Sequence, residues 1–190
     1  LTLSYKNYNN MACTLTTGRN IPCKSSVGGL KTVYFSDYGL TVTDNSTDAE
    51  KVDIGGTPDF FQYDLKGSSS METAVNSSRE NGTTFFESTL NISLQLLDSK
   101  TQEELKIIAL GRPQIVIEDY NGNFFLMGRE HGCEVSGGSF TSGATMGDAS
   151  SFSLTLTAQE VSAPAFLADS TDVTDNVNAA KISPATPNNG

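Results

Sequence analysis

Histidine is nearly absent. The chain of 190 residues has one, His131, so serine or cysteine hydrolysis would have a single candidate imidazole base. It lies in the turn-like stretch Gly128-Arg129-Glu130-His131-Gly132, and no G-x-S-x-G elbow occurs in the sequence. Cys133 sits two residues on, with nothing nearby to orient a base toward it, so an exposed turn histidine is expected and no catalytic residue is assigned. Cysteine is also scarce. Cys13, Cys23 and Cys133 are an odd number in a chain too large to need disulfide staples, and they read as buried thiols. A zinc set of these three with His131 lacks the paired C-x2-C spacing of recognisable zinc sites.

Basic residues are few. Lys and Arg total 12 against 22 Asp and Glu, a formal charge of −10, and such a surface repels phosphate. That argues against gripping nucleic acid by counterion release, though not against letting DNA slide past. No run approaches the roughly 20 apolar residues that cross a bilayer, and no basic and apolar leader opens the chain. Phosphate-cradling motifs are missing, because Gly28-Gly29-Leu30-Lys31 leads into a strand rather than a helix. Asp44-Asn45-Ser46-Thr47-Asp48 has the composition of a calcium loop without its sixth-position glycine or closing glutamate. Glu103-Glu104 and Glu118-Asp119 read as surface charges, and the sequons at Asn45, Asn76, Asn81 and Asn91 as unmodified.

What is present points to strands. Hydrophobic residues make up 37% and charged residues 18%, with Ser, Thr, Asn and Gly abundant, which suits short strands joined by many turns around one core. Lys31 to Thr43 reads as two short β-rich runs about a turn at 37–39. Pro58 to Lys66 sets Phe61, Tyr63 and Leu65 on one face, with Ser69 to Ser77 as a partner strand. The clearest strand runs from about Thr84 to Leu97, alternating Leu90, Ile92, Leu94 and Leu96 with Thr89, Asn91, Ser93 and Gln95. Ser151 to Glu160 repeats the pattern, Phe152, Leu154, Leu156 and Ala158 against Ser153, Thr155, Thr157 and Gln159.

Between these strands one helix is expected. Ser99 with Gln102 forms a capping box, Leu105, Ile108 and Ala109 share a side, Gly111 supplies a left-handed end and Pro113 forbids continuation. Asp119-Tyr120-Asn121-Gly122 then predicts a hairpin between 114–118 and 123–127. Cys133 to Thr141 is a strand with a bulge or bend at Gly137-Gly138. From about Ser162 the composition turns to Pro, Ala, Thr, Asn and Asp with no core-building period, and reads as an extended tail.

The order of long alternating strand, short helix, hairpin and closing alternating strand resembles the tail-tube proteins of long-tailed bacterial viruses and related contractile injection machines. The motif carrying the likeness is Gly143-Ala144-Thr145-Met146-Gly147-Asp148 followed by the strand 152–160 and Pro164. It is similar to the small-residue turn, last barrel strand and trailing Glu and Pro of many tube subunits. The run CTLTTGRNIPCKSSVGGLKTVYF, residues 13–35, is similar to the start of small phage structural proteins. The likeness spans residues 11–164 and implies a mainly β sandwich or barrel with one short helix at about 100–110. It implies an extension over 1–10, a tube-subunit domain over 11–164 and an extended tail over 165–190. Arms over 41–57 and 68–82 would reach an adjacent ring.

As function, the resemblance implies a non-enzymatic virion protein with no cofactor, resident in the viral tail and assembled in the bacterial cytoplasm. Its partners would be itself, in stacked hexameric rings, other tail proteins, and DNA passing through without specific binding; it would not insert in membranes. Thr89, Asn91, Ser93, Gln95, Ser153, Thr155, Thr157 and Gln159 would face the channel. A decoration protein, a fibre domain or a secreted filament subunit would share these features. A small enzyme or ligand-binding barrel would need a polar pocket around His131.

Overall fold

The alternation centred on Leu90 and Ile92 builds a strand from Thr83 to Gln95 with one buried side, and this strand anchors the smaller of two sheets. The computed structural model describes residues 17–20, 24–48, 50–65 and 68–178. Among them the order is β1 (Leu30–Ser36), β2 (Thr41–Asp44), β3 (Lys51–Gly55), β4 (Phe61–Asp64), β5 (Ser70–Ser78), β6 (Thr83–Gln95), α1 (Ser99–Leu110), β7 (Gln114–Asp119), β8 (Phe124–Met127), β9 (Glu134–Thr141), β10 (Ser151–Glu160), β11 (Ala165–Leu167) and α2 (Thr171–Thr174). The fold is mainly β. Seven strands pair in the order β2-β3-β11-β8-β7-β1-β4, and four in the order β5-β6-β10-β9.

The two sheets meet through one apolar layer. Val33 and Phe35 of β1, Ile115 and Ile117 of β7 and Met127 of β8 pack against Leu90 and Ile92 of β6 and Leu154, Leu156 and Ala158 of β10. Each large side chain buried here contributes about 1.5–3 kcal/mol relative to exposure. The seven-stranded sheet has a second core on its other face, where Tyr34, Val52, Ile54, Val116, Leu126 and Leu167 gather around Phe60 and Val173. Side chains from five strands can converge on one cluster only if the sheet curls around it. Burial on both faces explains why Gln-Ile-Val-Ile-Glu of β7 reads as a continuous buried run rather than an alternation.

The structure corrects several expectations. The segments 41–57 and 68–82 are not free arms: β2 and β3 form a hairpin in the large sheet, and β5 pairs with β6 along its whole length. β5 therefore does not partner the strand before it, because β4 pairs with β1 in the other sheet. Within 58–66, Leu65 is buried and Tyr63 half-buried, but Phe61 is largely exposed and Phe60 carries the deepest burial. Residues 165–178 are not an extended tail. β11 runs parallel to β3 and antiparallel to β8, Val173 is buried, and Val177 bridges to Phe60. Three residues of strand and one turn of helix are too short for a period to register in sequence. The extension over 1–10 and the residues beyond 178 lie outside the described residues.

α1 forms where expected, with different ends. Asp98, not Ser99, is the N-cap: its carboxylate accepts from the N–H groups of Lys100 and Thr101 at 3.1 and 3.2 Å. Gly111 stays extended, with φ −93° and ψ −174°, instead of left-handed, and its N–H donates to Ile107. Thr101, Leu105 and Ile108 face the core at successive turns while Ala109 stays exposed. β6 stops at Gln95 because Leu96 turns to φ +74°, its N–H donating to the carbonyl of Ser150.

Candidate channel-facing surface

The eight polar residues assigned to a channel come together on one face. In the antiparallel pair β6 and β10, Ser153 lies opposite Ser93, Thr155 opposite Asn91 and Thr157 opposite Thr89, while Gln95 lies opposite Ser151 and Gln159 opposite Glu87. Because side chains alternate with period two, all of these project from the side turned away from the core. Asn91, Gln95, Ser153 and Gln159 are exposed, and Thr89, Ser93, Thr155 and Thr157 are half-buried among their neighbours.

The surface is wider than sequence reading found. β5 adds Ser70, Glu72, Ala74 and Asn76 through its register with β6, and β9 adds Glu134, Gly137, Ser139 and Thr141 through its register with β10. The alternation Met71, Thr73, Val75 against Ser70, Glu72, Ala74 was the available signal for β5, too weakly apolar to assign a face. On β9 an irregularity occurs, but just before the expected Gly137-Gly138, which pair in register: the pairing shifts between Gly137 and Val135, leaving Ser136 bulged with its hydroxyl donating to the carbonyl of Thr155 at 3.3 Å.

Electrostatically the face is one-sided. None of β5, β6, β9 or β10 contains a lysine or arginine, and the outward charges are Glu72, Glu87 and Glu134. Some of its polar groups are occupied with one another. Thr155 Oγ1 donates to Asn91 Oδ1 at 2.8 Å, Gln159 Nε2 and Asn76 Nδ2 both donate to the Glu87 carboxylate, and the hydroxyls of Ser139 and Ser153 pair at 2.8 Å. A polyanion passing over this wall meets no lysine or arginine of the four strands.

No family model, no curated protein and no solved structure matches this chain. The functional reading therefore rests on the geometry.

The other candidates do not assemble into a reactive centre. His131 is exposed in its turn, two residues from Cys133, which is buried and whose thiol is pushed up by that burial and by the nearby Glu160. Cys13 and Cys23, the other thiols of the zinc alternative, lie outside the described residues. Among the described residues no group of three His, Cys, Asp or Glu is placed to hold a metal, and no helix is long and apolar enough to cross a membrane. Asn45 of the calcium-like stretch is engaged locally, capping the N–H groups of Thr47 and Asp48 and donating to Asp53. A shallow, open depression of about 360 Å³ lies between the 36–41 turn and the 55–59 loop, with Asp37 and Asp59 on its rim and neither histidine nor cysteine in its lining.

The buried polar groups act as staples. Glu160 ends β10 inside the protein, where its carboxylate accepts the N–H of Glu130 at 2.7 Å and holds the 128–133 turn; burial raises its pKa, and these backbone hydrogen bonds offset only part of the effect. Glu118 accepts from Lys31 at 2.6 Å and from the Tyr34 hydroxyl at 3.2 Å, and burial together with this carboxylate pushes the Tyr34 phenol up to about 12. Contrary to the surface charge expected from sequence, Glu118 is buried, because β7 is covered on both faces. In the hairpin turn Asp119 accepts from the N–H groups and side chains of Asn121 and Asn123. Burial would raise its pKa, but these hydrogen bonds together outweigh burial and lower it.

Proposed function

We propose that this protein is the tail-tube subunit of a tailed bacterial virus, a structural protein whose copies close into rings, stack, and conduct DNA through a central channel. The observation that carries the reading is the outer face of the four-stranded sheet, polar along all four strands apart from Phe85 and Ala74, without a lysine or arginine in its strands and weakly acidic. A wall for moving DNA must not trap it. Each lysine against a phosphate would release a counterion and add a salt-dependent attraction, and this face offers none.

Two further features support assembly. The sheet ends in strands whose outer edges are unpaired among the described residues, and an open edge is a pairing hazard unless a neighbouring copy uses it. A closed ring uses every such edge. The proposal places the protein in the virion tail, with copies of itself and other tail proteins as partners and no chemistry to perform. Hexameric rings follow from the resemblance stated above.

Electron microscopy of the purified protein, from dilute to concentrated and in low and moderate salt, tests this. Rings or tubes with an open channel are the expected result. Monodisperse monomers, trimers or solid filaments would refute it and favour a decoration, fibre or filament role.

A further inference from the structure

The four-stranded sheet is staggered. Asn91 of β6 is level with Ser70 of β5, Thr155 of β10 and Gly137 of β9. Beyond that row in one direction β5 has ended, and β9 continues to Thr141, level with Gln95. In the other direction β9 ends at Glu134, level with Thr89, and β5 continues to Ser78, beside Thr83. The two edges thus lie at different heights, and they run in opposite directions, so the β9 edge of one copy fits antiparallel against the β5 edge of the next.

Each edge also leaves apolar surface uncovered. Phe140 of β9 and Val75 of β5 occupy core-side positions, opposite Phe152 and Phe86, yet are 69% and 61% exposed. The sandwich does not reach far enough to cover them.

We propose that β9 of one subunit pairs with β5 of its neighbour in one register, with Phe140 opposite Met71 and Val135 opposite Val75. This rests on the ring reading above and specifies its contact. Three constraints select the register. An odd shift would set the polar face of one copy against the apolar face of the next, so the shift along the strands is even. Among even shifts, only four or six residues seat every paired β9 residue against β5. Four strand spacings of about 4.8 Å and about 3.3 Å per residue then require the strands to tilt by about 35° or about 46°, close to the 35–45° typical of closed barrels. A four-residue shift sets Phe140 against Met71 and Val135 against Val75, whereas six would oppose Phe140 to Thr73 and Val75 to Gly138. Apolar cross-strand pairs favour the former. On the other face the chosen register sets Ser139 against Glu72, Thr141 against Ser70 and Glu134 against Asn76, with no like charges opposed.

The test is disulfide trapping in the full chain, with Cys13 and Cys23 replaced by serine and assembled particles oxidised before denaturing electrophoresis. Within one chain β5 and β9 are three strand spacings apart, about 14 Å, too far for a bridge, so every crosslink is between copies. Met71→Cys with Phe140→Cys and Glu72→Cys with Ser139→Cys occupy adjacent rows, so one of the two falls at a closely spaced pair. At least one should give a ladder of covalent multimers, and the corresponding single variants should not. A ladder from Thr73→Cys with Phe140→Cys or Ala74→Cys with Ser139→Cys instead would overturn the register. Rings by microscopy with no ladder from any pair would overturn edge pairing and leave the tube reading standing, whereas particles that form no rings and no ladder would sink both. Phe140→Asp gives a second readout: the variant should keep the wild-type circular dichroism spectrum and lose assembly. Unimpaired rings would count against the contact.

Discussion

Replacing Gln114 by leucine keeps the side-chain volume and removes three hydrogen bonds at once. The amide, 2% exposed at the start of β7, accepts from the N–H groups of Gly39 and Leu40 at 2.9 and 2.8 Å and donates to the carbonyl of Arg129 at 2.8 Å. It ties the β1–β2 connection to the turn after β8, two segments that no ladder joins. An orphaned polar group sealed from water costs about 1–3 kcal/mol. Here Gly39 is exposed and Leu40 and Arg129 are half-buried, so water recovers part of the loss and the expected total is about 2–4 kcal/mol. Urea unfolding should show that loss at an unchanged slope, and in a chain of 190 residues the melting temperature should fall by about 5–15 °C. Gln114→Glu discriminates further. Its oxygens still serve Gly39 and Leu40, but an ionised carboxylate opposes the Arg129 carbonyl, so the variant should recover stability relative to wild type as acid protonates it. A loss below about 0.5 kcal/mol for the leucine variant would refute the staple.

Asp119 and Glu160 predict opposite pH dependences. The lowered carboxyl of Asp119 contributes stability that is present above its unfolded value of 3.8 and lost as pH falls through its folded value, so the destabilisation caused by Asp119→Ala should fade in strong acid. The raised carboxyl of Glu160 contributes stability present below 4.5 and lost as pH rises through its folded value. Glu160→Gln should therefore be less harmful near neutrality than in acid, as denaturation series at several pH values would show. Asn91→Lys with Thr155→Lys should leave the fold unchanged and make assembled particles retain double-stranded DNA in a salt-sensitive manner; filter binding with no gain would count against an exposed channel wall. The Cys133 thiol should react with a maleimide only after denaturant is added, and rapid labelling of the native Cys13→Ser, Cys23→Ser chain would contradict its burial.

Legibility followed the range of the interaction. The hairpin at Asn121-Gly122 could be read locally because Gly122 takes φ +79° while Asp119 ties the turn through neighbours two and four residues away. The bulge beside Gly137 and the helix over 99–110 are likewise short-range. The cap of that helix moved by one residue because Ser99 and Asp98 are both competent, and only the backbone geometry chose between them. The roles of Gln114, Glu118 and Glu160 were invisible, since their partners lie 15 to 87 residues away.

The period-two patterns of residues 83–95 and 151–160 determined by themselves that each strand has one dry and one wet face, because alternation is a property of the backbone alone. They also fixed the eight polar residues of the proposed wall. Only the tertiary structure decided that the two wet faces are one surface, that β5 and β9 widen it, and that its ends stand at different heights. Those are consequences of which strands pair and in what register, and pairing depends on contacts distant in sequence that no local pattern encodes. The same holds for residues 165–178, whose short strand and helix turn close the second core only because the large sheet curls to receive them.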